Sequence, residues 1–216
     1  MFKPGAGEDR TRDEILRAAG EEFADRGYRA ATIRAICRRA GKNIALVKYH
    51  FGDKMELYSE VLRDAAGKMR IEELRSVFDE DAPPEQMFRN AIRTRLRHAQ
   101  RKDLPGQYFI LMAREMAEPS PALRRFIDEV SKPMFEKLRN VIARISGLNP
   151  DDEKCRLCAN SVLGQIVLYT AHPGIVSQLW PQLKMTPRQI DRIADHIAEF
   201  SLAYLHSLRA GTGHRR

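Results

Sequence analysis

The residues whose types and spacing could do chemistry fall in two places. Between Arg29 and His50 the chain carries six basic residues, Arg29, Arg34, Arg38, Arg39, Lys42 and Lys48, and no Asp or Glu. A charge of +6 over 22 residues suits an anionic partner, phosphates above all, although a basic run can equally be a solvated face. Cys155 and Cys158 have the CxxC spacing of a zinc half-site or a redox pair. Zinc needs about four ligands, and no second Cys or His pair stands at matching spacing. On a helix these thiols sit one turn apart and read as buried structural cysteines, and Cys37 reads as core. Asp195-His196 and Arg114-Glu115 lack the spacing of a metalloprotease or a paired-carboxylate site, and no GxSxG, P-loop or GxGxxG motif occurs. The expectation is therefore no metal, no cofactor and no enzyme.

The basic window needs elements to hold it. Thr11-Arg12-Asp13-Glu14 is a capping box that predicts a helix start, with Ile15, Ala18, Ala19 and Phe23 following at helical spacing and Arg26-Gly27 as its end. Thr32 caps a second helix over 33–40, with Ile33 and Ile36 inward, and Gly41 ends it. Asn43 caps a short third helix from Ile44 to about His50. Two short helices joined by a tight turn form a helix-turn-helix. Gly52-Asp53-Lys54-Met55-Glu56 then starts a long helix toward Phe78, which the 79–84 stretch stops. Further helices are predicted at 85–101, 106–118, 120–145, 151–171 and 187–208, divided by Pro105-Gly106, Pro119, Gly147, Asn149-Pro150, Pro173-Gly174 and Thr186-Pro187. No strand-like alternation of useful length appears, so the fold class is all-α.

In a helix-turn-helix the second helix enters the DNA major groove and presents its N-terminal residues to base edges. With Leu46 and Val47 inward, Lys42, Ile44, Ala45, Lys48 and Tyr49 face out beside the cap Asn43. Lys48 can donate to guanine O6 and N7, and Ile44 or Ala45 can touch a thymine methyl; Tyr49 and His50 can bond phosphate oxygens. Thr32, at a helix N-terminus, offers a hydroxyl and free amides to another phosphate, and Arg34 is a backbone contact.

Composition agrees with a local tool rather than a basic protein throughout. The 216 residues have a formal net charge of +8 and 43% hydrophobic residues, enough apolar surface for a sizeable core and too much for a disordered polycation. Residues 1–28 sum to −2, residues 51–208 to +1 and the tail 209–216 to +3. Three cysteines make no disulfide framework, the first nine residues form no signal peptide, and the longest nearly apolar run, Val162 to Ala171, is half of a membrane span. A cytoplasmic location without membrane contact is expected.

Residues 10–58 resemble the N-terminal domain of TetR-type transcriptional regulators. The resemblance rests on Ile15, Ala18, Ala19, Phe23 and Gly27, on the run Ala31 to Ile36, on Ala40-Gly41, and on Tyr49-His50-Phe51-Gly52-Asp53-Lys54. Asn43-Ile44-Ala45 and the Tyr-His-Phe-Gly-Asp-Lys run are similar to the subgroup related to CecR (YbiH-like). So, more loosely, are Met-Ala-Arg-Glu-Met-Ala-Glu-Pro (112–119), Gly-Leu-Asn-Pro-Asp-Asp (147–152), and Gly164-Gln165 before His172-Pro173. The resemblance implies a homodimeric regulator of transcription, a repressor by expectation, that binds a near-palindromic double-stranded DNA operator. It places Lys54 at a helix start near a phosphate. It implies residues 10–52 as the DNA-binding domain and 53–208 as a helical effector-binding and dimerisation domain, with no packed structure in 1–9.

The stripes over 151–171 and 187–208 would then form a four-helix bundle with a second copy, though in a monomer they could simply be core. Tyr108, Met112 and Met116, with Gln165, Tyr169, His172 and Trp180, are candidates for lining a small-molecule pocket, because such regulators bind effectors in this domain. Met and aromatic residues at helical spacing serve equally as core. Two rivals stay open at this point: a helical ligand carrier or enzyme whose basic hairpin only faces solvent, and a binder of anionic membranes.

Overall fold

A computed structural model of the protein describes residues 6–77, 82–101 and 104–212. The first five residues, residues 78–81 (Phe78 and the first half of the 79–84 stop), residues 102–103 and the end of the basic tail lie outside the described residues. All regular structure among the described residues is helical.

Helix α1 spans Ala6–Ala30, so it starts upstream of Thr11, which becomes an interior position. Early in it, Arg10 pairs with Glu14 one turn on at 3.1 Å. The helix breaks where glycine is needed: Gly27 has φ 74 and ψ 168, and a short turn closed by the Ala31 N–H on the Gly27 carbonyl at 3.2 Å leads onward. Helices α2 (Ile33–Ala40), α3 (Ile44–Phe51) and α4 (Lys54–Val77) follow, then α5 (Pro84–His98) and α6 (Leu104–Ala117).

The single helix expected over 120–145 is instead α7 (Leu123–Phe126), a π-helical turn at Ile127–Ser131, and α8 (Lys132–Ser146). Pro133 gives the reason: it has no N–H for the carbonyl four residues back and its ring crowds that carbonyl, so the chain widens by one residue before it. Gly147, at φ 73, ends α8 as expected. Helix α9 (Glu153–Ala171) starts at the Asp152 cap, whose carboxylate accepts from the Lys154 N–H at 2.8 Å. Pro173, a boundary the sequence allows as a turn or as a helix start, opens a further helix, α10 (Pro173–Leu179); proline is favoured at the first helical position. Helix α11 (Pro187–Thr212) is the last.

These helices form two compact units, residues 1–68 with 101–130, and residues 69–100 with 131–216. In the first, α1 packs on α2 and α6, and α2 on α3. Its core includes Ile15, Ala18, Ala19, Phe23, Ile36, Val47, Leu57, Tyr58 and Leu111, with the Phe23 and Tyr58 rings edge to face at 4.6 Å. In the second, α5, α8, α9 and α11 enclose Phe88, Ile92, Ile142, Cys155, Ala159, Ile166, Ile190 and Ile197. The compact units thus group α6 and α7 with the helix-turn-helix.

Candidate nucleic-acid interface

The helix-turn-helix is fixed by side-chain caps. Thr32 is extended (φ −124, ψ 145) and its hydroxyl accepts from the Ala35 N–H at 3.2 Å. Gly41, left-handed at φ 65, ends α2, and the Lys42 N–H returns to the Cys37 carbonyl at 2.9 Å. Asn43 then caps α3, accepting from the Leu46 N–H at 3.0 Å. Ile36, Cys37, Val47 and Phe51 are buried and hold the pair together, while Leu46 is only half-buried. Burial raises the Cys37 thiol above its ordinary pKa, which keeps it protonated and unreactive.

Along α3 the outward positions are Ile44, Ala45, Lys48 and Tyr49, all exposed, with Tyr49 exposing 72% of its surface. Offsets of one, four and five residues from Ile44 put them on one face. Thr32, Arg34 and Asn43 are exposed as well, and His50 is half-buried with its ring 5.0 Å from that of Tyr49.

The six cations of the basic window divide into two groups. Arg39 is held by α1: its guanidinium lies 2.9 Å from Asp25, 3.2 Å from Glu22 and 3.4 Å from Glu21. Lys42 pairs with Glu14 at 2.7 Å, and with Arg10 it holds the Glu14 carboxyl below its ordinary pKa. Arg29, Arg34, Arg38 and Lys48 are exposed and have no carboxylate partner among the described residues. Lys42 is thus tied inward, whereas Arg38, one turn from Arg34 on α2, joins the outward set. The i, i+4 spacing of Arg34 and Arg38 was the signal in the sequence that could have paired them.

Lys54 also points inward. Its ammonium donates to the Arg29 carbonyl at 3.1 Å and lies 4.8 Å from the centre of the Tyr28 ring; burial lowers its pKa from the ordinary lysine value. It fastens the start of α4 to the end of α1.

Further contacts hold this surface from behind. Arg114 of α6 donates to the Ala24 carbonyl at 2.7 Å and the Asp25 carbonyl at 2.6 Å, satisfying the C-terminal acceptors of α1 before the Gly27 break. One residue on, Glu115 is buried and accepts from the Tyr58 hydroxyl at 2.7 Å and from the Ser120 amide at 2.9 Å.

The residues expected to line an effector pocket are not gathered within either unit. In the first unit Tyr108 is buried against Phe109 and Phe126, Met112 is half-buried and Met116 is exposed. In the second, Gln165 donates back to the Ser161 carbonyl at 3.4 Å, Tyr169 packs against the core, and His172 and Trp180 are exposed. A different set encloses a cavity of about 30 Å³ in the second unit: Met87, Phe88, Ile92, Met134, Val141 and Val162 among others, with Arg95 the one charged lining residue. That volume holds about one water molecule. These positions read as ordinary core in the sequence, and only the arginine on an apolar face set them apart.

Burial raises the pKa of the Cys155 and Cys158 thiols, in keeping with structural cysteines. Among the described residues no group of three or more His, Cys, Asp or Glu side chains could hold a metal ion, and no helix is long and apolar enough to cross a membrane.

Comparison with known proteins identifies both halves. Residues 15–61 match "Bacterial regulatory proteins, tetR family", and residues 84–205 match "HTH-type transcriptional dual regulator CecR, C-terminal domain". The chain is 25% identical over 170 residues to the dual regulator CecR of Shigella flexneri, covering 74% of this chain and 76% of that protein. It is 46% identical over 55 residues to the activator FasR of Mycolicibacterium smegmatis, 26% of this chain and 25% of that one. Its fold matches AibR, solved with isovaleryl coenzyme A and operator DNA, at TM-score 0.68 and 22% identity over 88% of this chain and 97% of that one. It also matches the fatty acid degradation regulator FadR from Bacillus halodurans at TM-score 0.69 and 16% identity, over 93% and 97%. The family consists of transcriptional regulators, not enzymes. The chain belongs to the TetR family of transcriptional regulators, with the C-terminal domain of the CecR type.

Proposed function

We propose that this regulator acts in the cytoplasm as a homodimeric repressor, reading a near-palindromic operator with the outward face of α3. The single observation that carries the reading is the division of charge across the helix-turn-helix. Lys48 stands exposed with Ile44, Ala45 and Tyr49 on α3, and Arg34 and Arg38 are exposed one turn apart on α2, while Arg39 and Lys42 are held by acids of α1. In this reading Lys48 addresses a guanine edge, Ile44 or Ala45 a thymine methyl, and Thr32, Arg34, Asn43, Tyr49 and His50 the backbone. Lys42 and Lys54 position the helices instead of touching DNA. Residues 10–52 form the reader and 53–208 the sensing and dimerising part.

Exposed apolar side chains support the dimer: Leu157 and Leu168 on α9, and Phe200 and Tyr204 one turn apart on α11. Two such readers meet half-sites about 34–36 Å apart on one face of the DNA. The effector widens the apolar cavity of the second unit, with an anionic group toward Arg95; the acyl coenzyme A bound to the similarly folded AibR is of that chemical kind. It changes operator affinity only by its differential affinity for the two reader spacings.

Selection of bound sequences from random DNA tests the reading. The wild type yields an inverted repeat, and Lys48→Ala relaxes the preference at one symmetric pair of positions. A Lys48→Ala protein that selects the same sequence as the wild type contradicts the assignment of α3.

A further inference from the structure

We infer that the dimer interface is wider than two helices per subunit, with α9 crossing its copy at Gly164 and α10 with Trp180 docking on the second copy of the chain. The inference rests on the homodimer reading and adds a segment and a crossing point to it.

Charge is the first observation. Although 31% of the chain is charged, the 27 residues from Leu157 to Leu183 contain no Asp, Glu, Lys or Arg. That stretch covers most of α9, all of α10 and the turn after it. Two copies of a protein with net charge +8 repel, and they meet at least cost where neither carries charge.

The exposed face of α9 is the second. Leu157, Ser161, Gly164 and Leu168 are all open to solvent in the protomer and recur at steps of four, three and four residues, the spacing of a helix-packing seam. Gly164 lies inside this helix, where glycine is among the least favourable residues. Nothing within 4 Å of a Cβ built there explains it. No neighbour inside the protomer requires the missing side chain; a second helix crossing closely over that point does.

The third observation is α10 itself. Val176 and Leu183 anchor it, each buried, and α10 packs against α9. Its other side presents Ile175 at 52%, Leu179 at 79% and Trp180 at 51% exposure. At about 150–250 Å² for a large side chain, these exposed fractions come to roughly 300 Å² per protomer, a substantial share of the ~800 Å² each partner buries in a standard interface. Tryptophan in a partly buried apolar setting is also the residue most often found at the energetic centre of an interface.

Trp180 is the one tryptophan of the chain, so it reports on its own surroundings. The test is sedimentation equilibrium and acrylamide quenching of Trp180 fluorescence on the full-length wild type, Leu179→Glu and Gly164→Leu. Both substitutions are at solvent-exposed positions of the protomer, and circular dichroism checks that helicity is kept. The expected result is a dimeric wild type with Trp180 shielded from acrylamide, and variants that dimerise roughly 30-fold or more weakly, the effect of losing an interface hot spot, with Trp180 freely quenched in their monomers.

A dimeric wild type whose Trp180 is quenched as readily as free N-acetyltryptophanamide overturns the docking of α10 and leaves the homodimer standing. Leu179→Glu dimerising like the wild type does the same, and Gly164→Leu dimerising like the wild type overturns the crossing point. A wild type that is monomeric at every concentration overturns both readings, and its capture by lipid vesicles would assign the uncharged stretch to a membrane surface.

Discussion

The outer and inner faces of the helix-turn-helix carry the same residue types in different states. On the outer face Arg34, Arg38 and Lys48 stand in solvent with no carboxylate partner among the described residues; on the inner face Arg39 and Lys42 close on Asp25, Glu22, Glu21 and Glu14 of α1. The difference teaches that a charge counted in a sequence is not a charge available to a ligand. The fold decides, and here it turns part of the +6 window into glue between α1 and the DNA reader. Acids of α1 neutralise Arg39 and Lys42, which leaves Arg34, Arg38 and Lys48 as the cations we propose for phosphate and bases.

Substitutions can break this contrast from either side. The largest effect is expected behind the inner face. Phe23 of α1 is fully buried against Tyr58 of α4, and Phe23→Ala should destabilise the chain by about 3–5 kcal/mol, seen as an earlier urea midpoint, with DNA binding lost only as folding is lost. On the outer face Lys48→Ala should leave the urea midpoint unchanged and lose about 1–3 kcal/mol of discrimination at its base pair, read by titrating matched and mismatched operators. Arg39→Ala should behave in the opposite way. It leaves Glu22, which is 3% exposed, with Arg26 as its remaining ion-pair partner, and should cost about 1–3 kcal/mol of stability while affinity for DNA, corrected for the folded fraction, stays put.

The smallest effect concerns Glu14. Lys42 and Arg10 depress its pKa in the folded chain, so the pair contributes stability above the unfolded carboxylate value and loses it as pH falls through the folded one. Lys42→Ala should therefore flatten the acid limb of the stability profile slightly and leave stability changes above neutral pH untouched, as measured by thermal melts across pH.

Much of the reader was legible because its determinants are local. Thr32, Gly41 and Asn43 specify caps and a turn through contacts within four residues, and the helices they delimit are where those residues put them. The start of α1 was not, since nothing in Ala6 to Arg10 stops a helix and the Thr11 to Glu14 capping box is compatible with a helix interior as well. Proline is ambiguous for one reason: a missing N–H either opens a helix, as at Pro173, or distorts one, as before Pro133, and the choice depends on packing. The directions of Lys42 and Lys54 are set by residues of another element, Glu14 in one case and Tyr28 with the Arg29 carbonyl in the other. No spacing within the basic window encodes that. The small cavity of the second unit was least legible, because its lining has the composition of ordinary core and only the helix packing makes Met87, Met134 and Val162 neighbours.

The salt dependence of operator binding tests the division of charge most directly. Each phosphate contact contributes about 0.9 to the slope of log affinity against log salt. If the outer cations alone meet DNA, Arg34→Ala lowers that slope by about 1, and Arg39→Ala and Lys42→Ala leave it at the wild-type value. Equal losses of slope from Arg34→Ala and Lys42→Ala would contradict the account.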